Sequence, residues 1–206
     1  MSSTEGRIAV DHHDWHSARY VQEWITRDIT RDEERRRRLR QMLDAAPCAP
    51  DAEIAVIDVG GGYGVVSEEV LRAFPRAVVT LQDYSQPMLD QARQRLAEFG
   101  ARVKYAVGDL RGPKWTDAVG GPFDLAVSAI AIHNLRDLEQ IAASYHAIAG
   151  VLKPAGAFLD YDLFGLIGGV EAQMQVMREA GFGAVDCLWQ EGRLAVVRAK
   201  EPRAVG

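Results

Sequence analysis

Cysteine is nearly absent from this sequence. Two of its 206 residues, Cys48 and Cys187, are cysteines, and they stand far apart in no ligand-like spacing. That argues against a disulfide framework and a zinc cluster, and for a reducing, cytoplasmic setting. Long apolar runs are missing too. No stretch reaches membrane-spanning length, and the polar N-terminus lacks the apolar core of a secretion signal. Positive charge is not in surplus. A formal net charge of −5 gives no overall attraction to nucleic acid, so a cationic or neutral small ligand is the easier partner. No internal repeat or low-complexity tract is visible. The remaining composition, 48% hydrophobic and 26% charged, suits one soluble domain that buries its core without disulfide help.

The chain is organised around residues 56–64, which read V-I-D-V-G-G-G-Y-G. Residues 54–59 form a short apolar run of the kind found in strands buried on both faces of a parallel sheet. Gly60, Gly62 and Gly64 follow at alternate positions, and an apolar-periodic helix begins at Val65. A strand, a glycine turn and a helix let a ligand touch backbone directly, because glycine has no Cβ to hold it off.

Ahead of this motif, residues 1–10 read as a loose tail. From Asp14, the apolar positions Trp15, Ala18, Val21, Trp24, Ile25 and Ile29 fall at helical spacing and predict a helix with one face to bury. Thr30 and Glu33 form a capping-box pattern for a second helix. The run Arg35 to Arg38 follows Asp32, Glu33 and Glu34 at four-residue spacing, which predicts a solvated, self-paired helix face. Leu39, Met42 and Leu43 supply its buried side. Residues 1–46 are thus expected to form an N-terminal helical cap or lid, and residues 47–206 the core of what is overall a single domain.

Beyond it, strands and helices alternate. Strands are expected at 78–83, 103–109, 123–130 and 157–162, and helices at 65–74, 137–152 and 170–180. Ser85 caps a further helix that stops at Gly100. A hairpin, 184–189 and 193–199, closes the chain. This order predicts an α/β fold with a mostly parallel, doubly wound sheet whose last strand is antiparallel.

In such a sheet the ligand lies at the carboxyl ends of the strands. The first three end in or beside an acid, Asp58, Asp83 and Asp109. Asp83 lies about 20 residues after the glycine turn, where an acid can grip both hydroxyls of a ribose. That position suits NAD and S-adenosylmethionine alike. Val65 stands where a dinucleotide turn would have its last glycine, and a pyrophosphate would be repelled by Asp58 and Asp109. A sulfonium and an α-amino group would be attracted by them.

With these residues in hand, the chain resembles the class I S-adenosylmethionine-dependent methyltransferases over about residues 54–199. The carrying motifs are V-I-D-V-G-G-G-Y-G, L-Q-D-Y-S-Q-P-M-L, V-G-D-L, F-D-L-A-V-S-A-I-A-I-H-N-L, L-K-P-A-G and R-E-A-G-F, in that order. The resemblance implies a Rossmann-like, seven-stranded sheet and methylation of a small molecule, with S-adenosyl-L-homocysteine as product. It places Gly60, Gly62 and Gly64 against the methionine part of the cofactor, with Asp58 toward its ammonium and the backbone around Ser128 facing the same end. Asp83, with Tyr84 beside it, would take the ribose. Asp109 and the Leu110 N–H would take the adenine. Met88 is either an adenine contact or a core position. His133 is either a general base or a loop residue bonding the backbone.

Other features bound the reading. The fourth strand lacks the N-P-P-Y-type ending of amino-methylating nucleic-acid enzymes, and Ser128 stands where metal-dependent members carry an acid. His12, His13 and His16 lie beside a loose tail at a helix start, so no metal is expected. Asp160 and Asp162 share a strand face, expected to be a solvent-facing crevice wall. Trp15 and Tyr20 are expected to face the ligands from the first helix, with Trp24 as anchor. Non-methyl-transfer chemistry on the same cofactor, or a non-catalytic cofactor-binding partner subunit, stays open as an alternative. No nucleic-acid or membrane partner is implied, and nothing in the sequence decides between monomer and homodimer.

Overall fold

The computed structural model describes residues 14–203. Its strands are β1 (Ala55–Val59), β2 (Val78–Asp83), β3 (Val103–Val107), β4 (Phe123–Ala129), β5 (Leu152–Asp162), β6 (Phe182–Glu191) and β7 (Leu194–Pro202). Its helices are α1 (Ala18–Asp28), α2 (Asp32–Leu43), α3 (Val65–Ala73), α4 (Gln86–Arg95), α5 (Leu138–Val151) and α6 (Val170–Glu179). One sheet holds all seven strands in the order β3-β2-β1-β4-β5-β7-β6. β1 to β5 pair parallel, and β7 lies antiparallel between β5 and β6. The topology reverses at β1, between β2 and β4, which opens a crevice at the strands' carboxyl ends.

Strand alternation divides the core in two. Val56, Leu81, Leu125, Val127 and Leu159 meet α1 to α4 on one face. Ile57, Val59, Ala126, Phe158 and Val197 meet α5 and α6 on the other. The central strands therefore carry apolar side chains on both faces, and this is why 54–59 reads as an unbroken apolar run. Ser85 and Asp137 accept from the backbone N–H of Met88 and Gln140 and start α4 and α5 as the sequence predicts.

The N-terminal segment departs from its sequence pattern in two places. α1 begins at Ala18, where Ser17 accepts from the Tyr20 N–H at 3.2 Å, and not at Asp14. Thr30 caps nothing. The chain passes from α1 to α2 through a 3-10 turn, Ile29–Arg31, without leaving a helical path, and the Thr30 hydroxyl donates to the Arg27 carbonyl at 2.8 Å. With no break there is no free first-turn N–H for a capping box to satisfy.

The arginine run is a docking face rather than a solvated one. Arg35 donates to Asp28 at 2.5 Å and to the Tyr63 hydroxyl at 2.7 Å. Arg36 reaches Glu69 at 2.5 Å and Glu68 at 2.8 Å, both on α3. Arg38 reaches Glu191 at 3.1 Å and lays its guanidinium 4.0 Å from the centre of the Trp189 ring. Acids fixed on α3 and half-shielded from water bind a guanidinium strongly. Beneath these pairs Leu39, Met42 and Leu43 are buried, each contributing roughly 1.5–3 kcal/mol.

Glu68 is the hub of this interface, accepting from Arg36, Arg72 and Arg95. Burial alone would raise its pKa, but the hydrogen bonds from the three arginines outweigh it and bring the carboxyl from 4.5 down to about 2. The unfolded chain thus binds the proton more readily, and stability from Glu68 is complete above about pH 4.5 and lost as pH falls toward 2. Urea unfolding across that window should show the loss in the native chain and a flatter response in Glu68→Gln. Equal pH slopes in both proteins would remove Glu68 from this role.

Candidate active site

A crevice of about 1540 Å³ runs along the carboxyl ends of β1 to β5, with Trp15, α1 and α2 contributing to its wall. Its floor at one end is the glycine turn. Gly60 has φ +65°, and a Cβ there would lie 2.7 Å from that of Ala131. Gly61 stands outside the alternating glycine pattern yet is as constrained. A Cβ on it would come within 2.8 Å of both the Asp58 carboxyl and Leu81.

The turn is stitched to the neighbouring strands by side chains. The Gly60 N–H donates to Gln82 Oε1 at 3.0 Å, and Gln82 Nε2 donates to the Gly108 carbonyl at 2.5 Å. The Gly62 N–H donates to Asp83 Oδ2 at 2.9 Å, and the Ser85 N–H to Asp83 Oδ1 at 2.8 Å. Gln82 was not singled out from sequence. The one signal it leaves is a polar side chain inside an otherwise apolar strand.

Of the residues to which the resemblance assigns a cofactor, most line this crevice. They are Gly60, Gly62, Asp83, Tyr84, Met88, Asp109 and Leu110. Asp83 is 8% exposed. Burial raises its pKa and the backbone hydrogen bonds oppose that, and each oxygen keeps a lone pair for a further donor. Met88 stands 4.0 Å from where a Gly62 Cβ would be, so it is both core and crevice wall. Gly64 caps α3 instead, at φ +87°, pressed against Leu96.

Two further assigned side chains, Asp58 and Ser128, lie outside the crevice wall, and Asp109 lies in it already paired. Asp58 lies under the glycine turn, fully buried and outside the crevice wall, with Oδ2 accepting from Ser67 at 2.6 Å. Burial pushes its carboxyl up to about 7, and it packs beneath Gly61 rather than facing the crevice. Ser128 is also fully buried and gives its hydroxyl to the Val59 carbonyl at 3.0 Å, while Ala129, Ile130 and Ala131 form the wall. Asp109 is in the wall, but Arg111 grips both its oxygens at 2.7–3.1 Å. Those bonds hold it below the usual carboxylate range and leave only its remaining lone pairs for a ligand.

The other end of the crevice holds His133. β4 exits through Ile130, whose φ of +53° is rare for a β-branched residue, and its N–H is tied to the Tyr161 carbonyl at 2.8 Å. That bend launches a 3-10 turn, Ile132–Leu135, over the end of β5. There Asp162 accepts from the His133 N–H at 2.9 Å and the Leu163 N–H at 2.7 Å, and its Oδ1 lies 2.6 Å from His133 Nδ1. Two backbone donors already occupy this carboxylate, so Nδ1 is the donor in the third contact and Nε2 is left with a lone pair.

Asp162 is fully buried, and so is Asp160, against the expectation of a solvent-facing wall. Both point into the layer beneath α5, because the 3-10 turn after β4 and helix α5 cover that face. Tyr161 points the opposite way and lines the crevice with Trp189, the rings 6.3 Å apart. Trp15 and Trp24 line it as well, edge-on to each other at 5.2 Å. The expected division of labour is partly reversed here, because Tyr20 packs edge-on to Trp15 at 5.4 Å and does not reach the crevice. His12 and His13 lie outside the described residues. His16 precedes α1 and packs edge-on to Tyr84 at 5.3 Å, and no metal-binding group of three or more side chains occurs among the described residues.

Comparison with known proteins fits this arrangement. Residues 56–156, from β1 into β5, match the model of a methyltransferase domain. The chain is 38% identical over 76 residues to a release factor glutamine methyltransferase of Chlorobaculum tepidum, covering 36% of this chain and 26% of that protein. It is 31% identical over 101 residues to a malonyl-[acyl-carrier protein] O-methyltransferase of Magnetococcus marinus, covering 49% and 35%. The chain thus spans well under half the length of these relatives. Among solved structures, an O-methyltransferase family protein from Burkholderia thailandensis superposes with a TM-score of 0.70 at 22% identity, over 93% of this chain and 61% of that one. The likeness in that structure is one of fold. The match over the glycine turn and strand ends identifies residues 56–156 as a methyltransferase domain of the class I S-adenosylmethionine-dependent kind.

Proposed function

We propose that the protein transfers a methyl group from S-adenosylmethionine to a hydroxyl of a small organic acceptor, with His133 as the general base. The observation that carries this reading is the His133–Asp162 pair at 2.6 Å on the crevice wall. When bound, the cofactor supplies a methyl carbon made electrophilic by the sulfonium, so the chain's own task is to align a nucleophile and take its proton. Asp162 holds the imidazole in the tautomer whose Nε2 accepts a proton, and it stabilises the imidazolium that results.

The residues present fit the cofactor. Asp83 has acceptor capacity for two ribose hydroxyls, Met88 and Tyr84 offer faces for the adenine, and the turn brings backbone within reach. Asp109 would contribute what Arg111 leaves it. The crevice exceeds the roughly 300–1,000 Å³ of a single small-ligand site, which leaves room for an acceptor beside the cofactor. Tyr161 and Trp189 offer that acceptor an aromatic wall.

The segment 14–43 acts in this reading as the cover of the site, part of a cap whose boundary we place at residue 46. Methyl transfer gains from excluding water, and Trp15 and Trp24 are the side chains placed to do so. Hydrogen exchange over residues 14–28 should slow when S-adenosylhomocysteine binds. Equal protection in both states would leave α1 a fixed wall.

Asp83→Ala should weaken S-adenosylhomocysteine binding by roughly 2–4 kcal/mol in calorimetry, the cost of two charge-assisted hydrogen bonds. Unchanged affinity would remove Asp83 from the site. His133→Ala and Asp162→Asn should leave that binding near native and slow turnover by about 10²–10⁴-fold. The acceptor is found by incubating the protein with labelled cofactor and cell extract. The expected result is a small molecule heavier by one methyl group; label retained only on protein or nucleic acid sinks the small-acceptor reading.

A further inference from the structure

Asp160 is a buried acid that the mechanism above does not use. Its side chain has no exposure, and neither carboxyl oxygen has a hydrogen-bond partner among the described residues. It stands two residues before Asp162 on the same face of β5, the face covered by α5. Across the sheet it lies beside Ser128 of β4 and Val197 of β7. Ser128 has already given its hydroxyl to Val59, and valine has none to give. From α5 comes Tyr145, fully buried, whose hydroxyl likewise has no partner among the described residues and lies within electrostatic reach of both Asp160 and Asp162. The charge that acts on Asp160 is that of Asp162, of the same sign.

An ionised carboxylate in that place would have no cation and no donor among the described residues, with a second anion close by. Burial on those terms is among the costliest a protein can impose, and the group escapes it by keeping its proton. Asp162 differs, because two backbone N–H groups and the His133 ring all donate to it. The two acids therefore divide one charge unequally, and hydrogen-bond supply decides which one carries it. Where two such acids lie together, their environments set opposite protonation states.

We infer that Asp160 is a neutral carboxylic acid in the native protein and holds its proton so that Asp162 is the single anion behind His133. This rests on the reading of His133 as base. A second anion in the layer would strengthen the imidazole's hold on a proton and keep Nε2 occupied. The proton on Asp160 prevents that and keeps the acid-base pair to two members.

Infrared spectroscopy of the full chain with ¹³C-labelled aspartate at neutral pH tests this directly. The native protein should show a carboxylic-acid C=O band, beyond the contribution of the buried Asp58, that is lost in Asp160→Asn. Nuclear magnetic resonance of the His133 ring gives a second readout, because asparagine imitates a neutral acid and should leave the midpoint of its titration in place. No acid band in the native protein, or a His133 midpoint lowered by roughly 1 unit or more in Asp160→Asn as expected for loss of a neighbouring anion, overturns the proposal. If the variant does not fold, the acid band that remains at pH 8 in Asp58→Asn, which lacks the other buried acid, decides alone. Neither readout involves turnover, so a failure of methyl transfer and a failure of this proposal are told apart.

Discussion

Everything at the site depends on three strand ends being held in register by side chains that reach across them. Gln82 joins the first turn of the glycine loop to the end of β3, and Asp83 ties down its second turn. Backbone N–H groups in a turn without regular pairing must find partners, and here β2 provides them. The consequence is a rigid, side-chain-free floor at the point where the sheet topology reverses. Asp58 supports it from beneath, and the missing Cβ of Gly61 is what gives Asp58 room to do so.

The opposite wall uses different physics. α2 carries a dense row of arginines that would repel one another in isolation. Set against Glu68, Glu69, Asp28 and Glu191, the same row becomes the adhesive that fixes the N-terminal segment to α3 and to the terminal hairpin. The cation–π contact of Arg38 with Trp189 extends the attachment to the rim of the crevice, beside Tyr161. Attachment and enclosure are thus achieved by one helix, and α1 and Trp15 complete the cover.

Much of this was legible in the chain before folding. The parallel sheet, the glycine turn, Ser85 as a helix cap, Asp83 at a strand end and the closing hairpin all rest on local signals: an apolar run, a residue pattern, a fixed spacing. Where reading failed, the failing element was polar and its partner distant. Thr30 had the right neighbours for a cap but no helix break to cap. The arginines of α2 had acids at the right spacing in their own helix, yet Arg36 reaches across to acids on α3. Tyr20 and Trp24 fell on one apolar face, and the packing of α1 decided which of them reached the crevice.

The sequence by itself determined the order of strands and helices, the glycine turn and the strand ends that meet at the crevice, because hydrophobic period and glycine stereochemistry act over a few residues. Only the tertiary structure decided which acid is a charge and which a neutral prop. Asp58, Asp83, Asp160 and Asp162 are alike in sequence, each at or near a strand's carboxyl end. They differ in how many donors surround them once β4 lies beside β5 and α5 covers the sheet. Asp162 gains His133 and two backbone N–H groups, and Asp160 gains none. Desolvation and hydrogen bonding fall off within a few ångströms, so the state of each carboxyl is set by neighbours that the linear chain places tens of residues away.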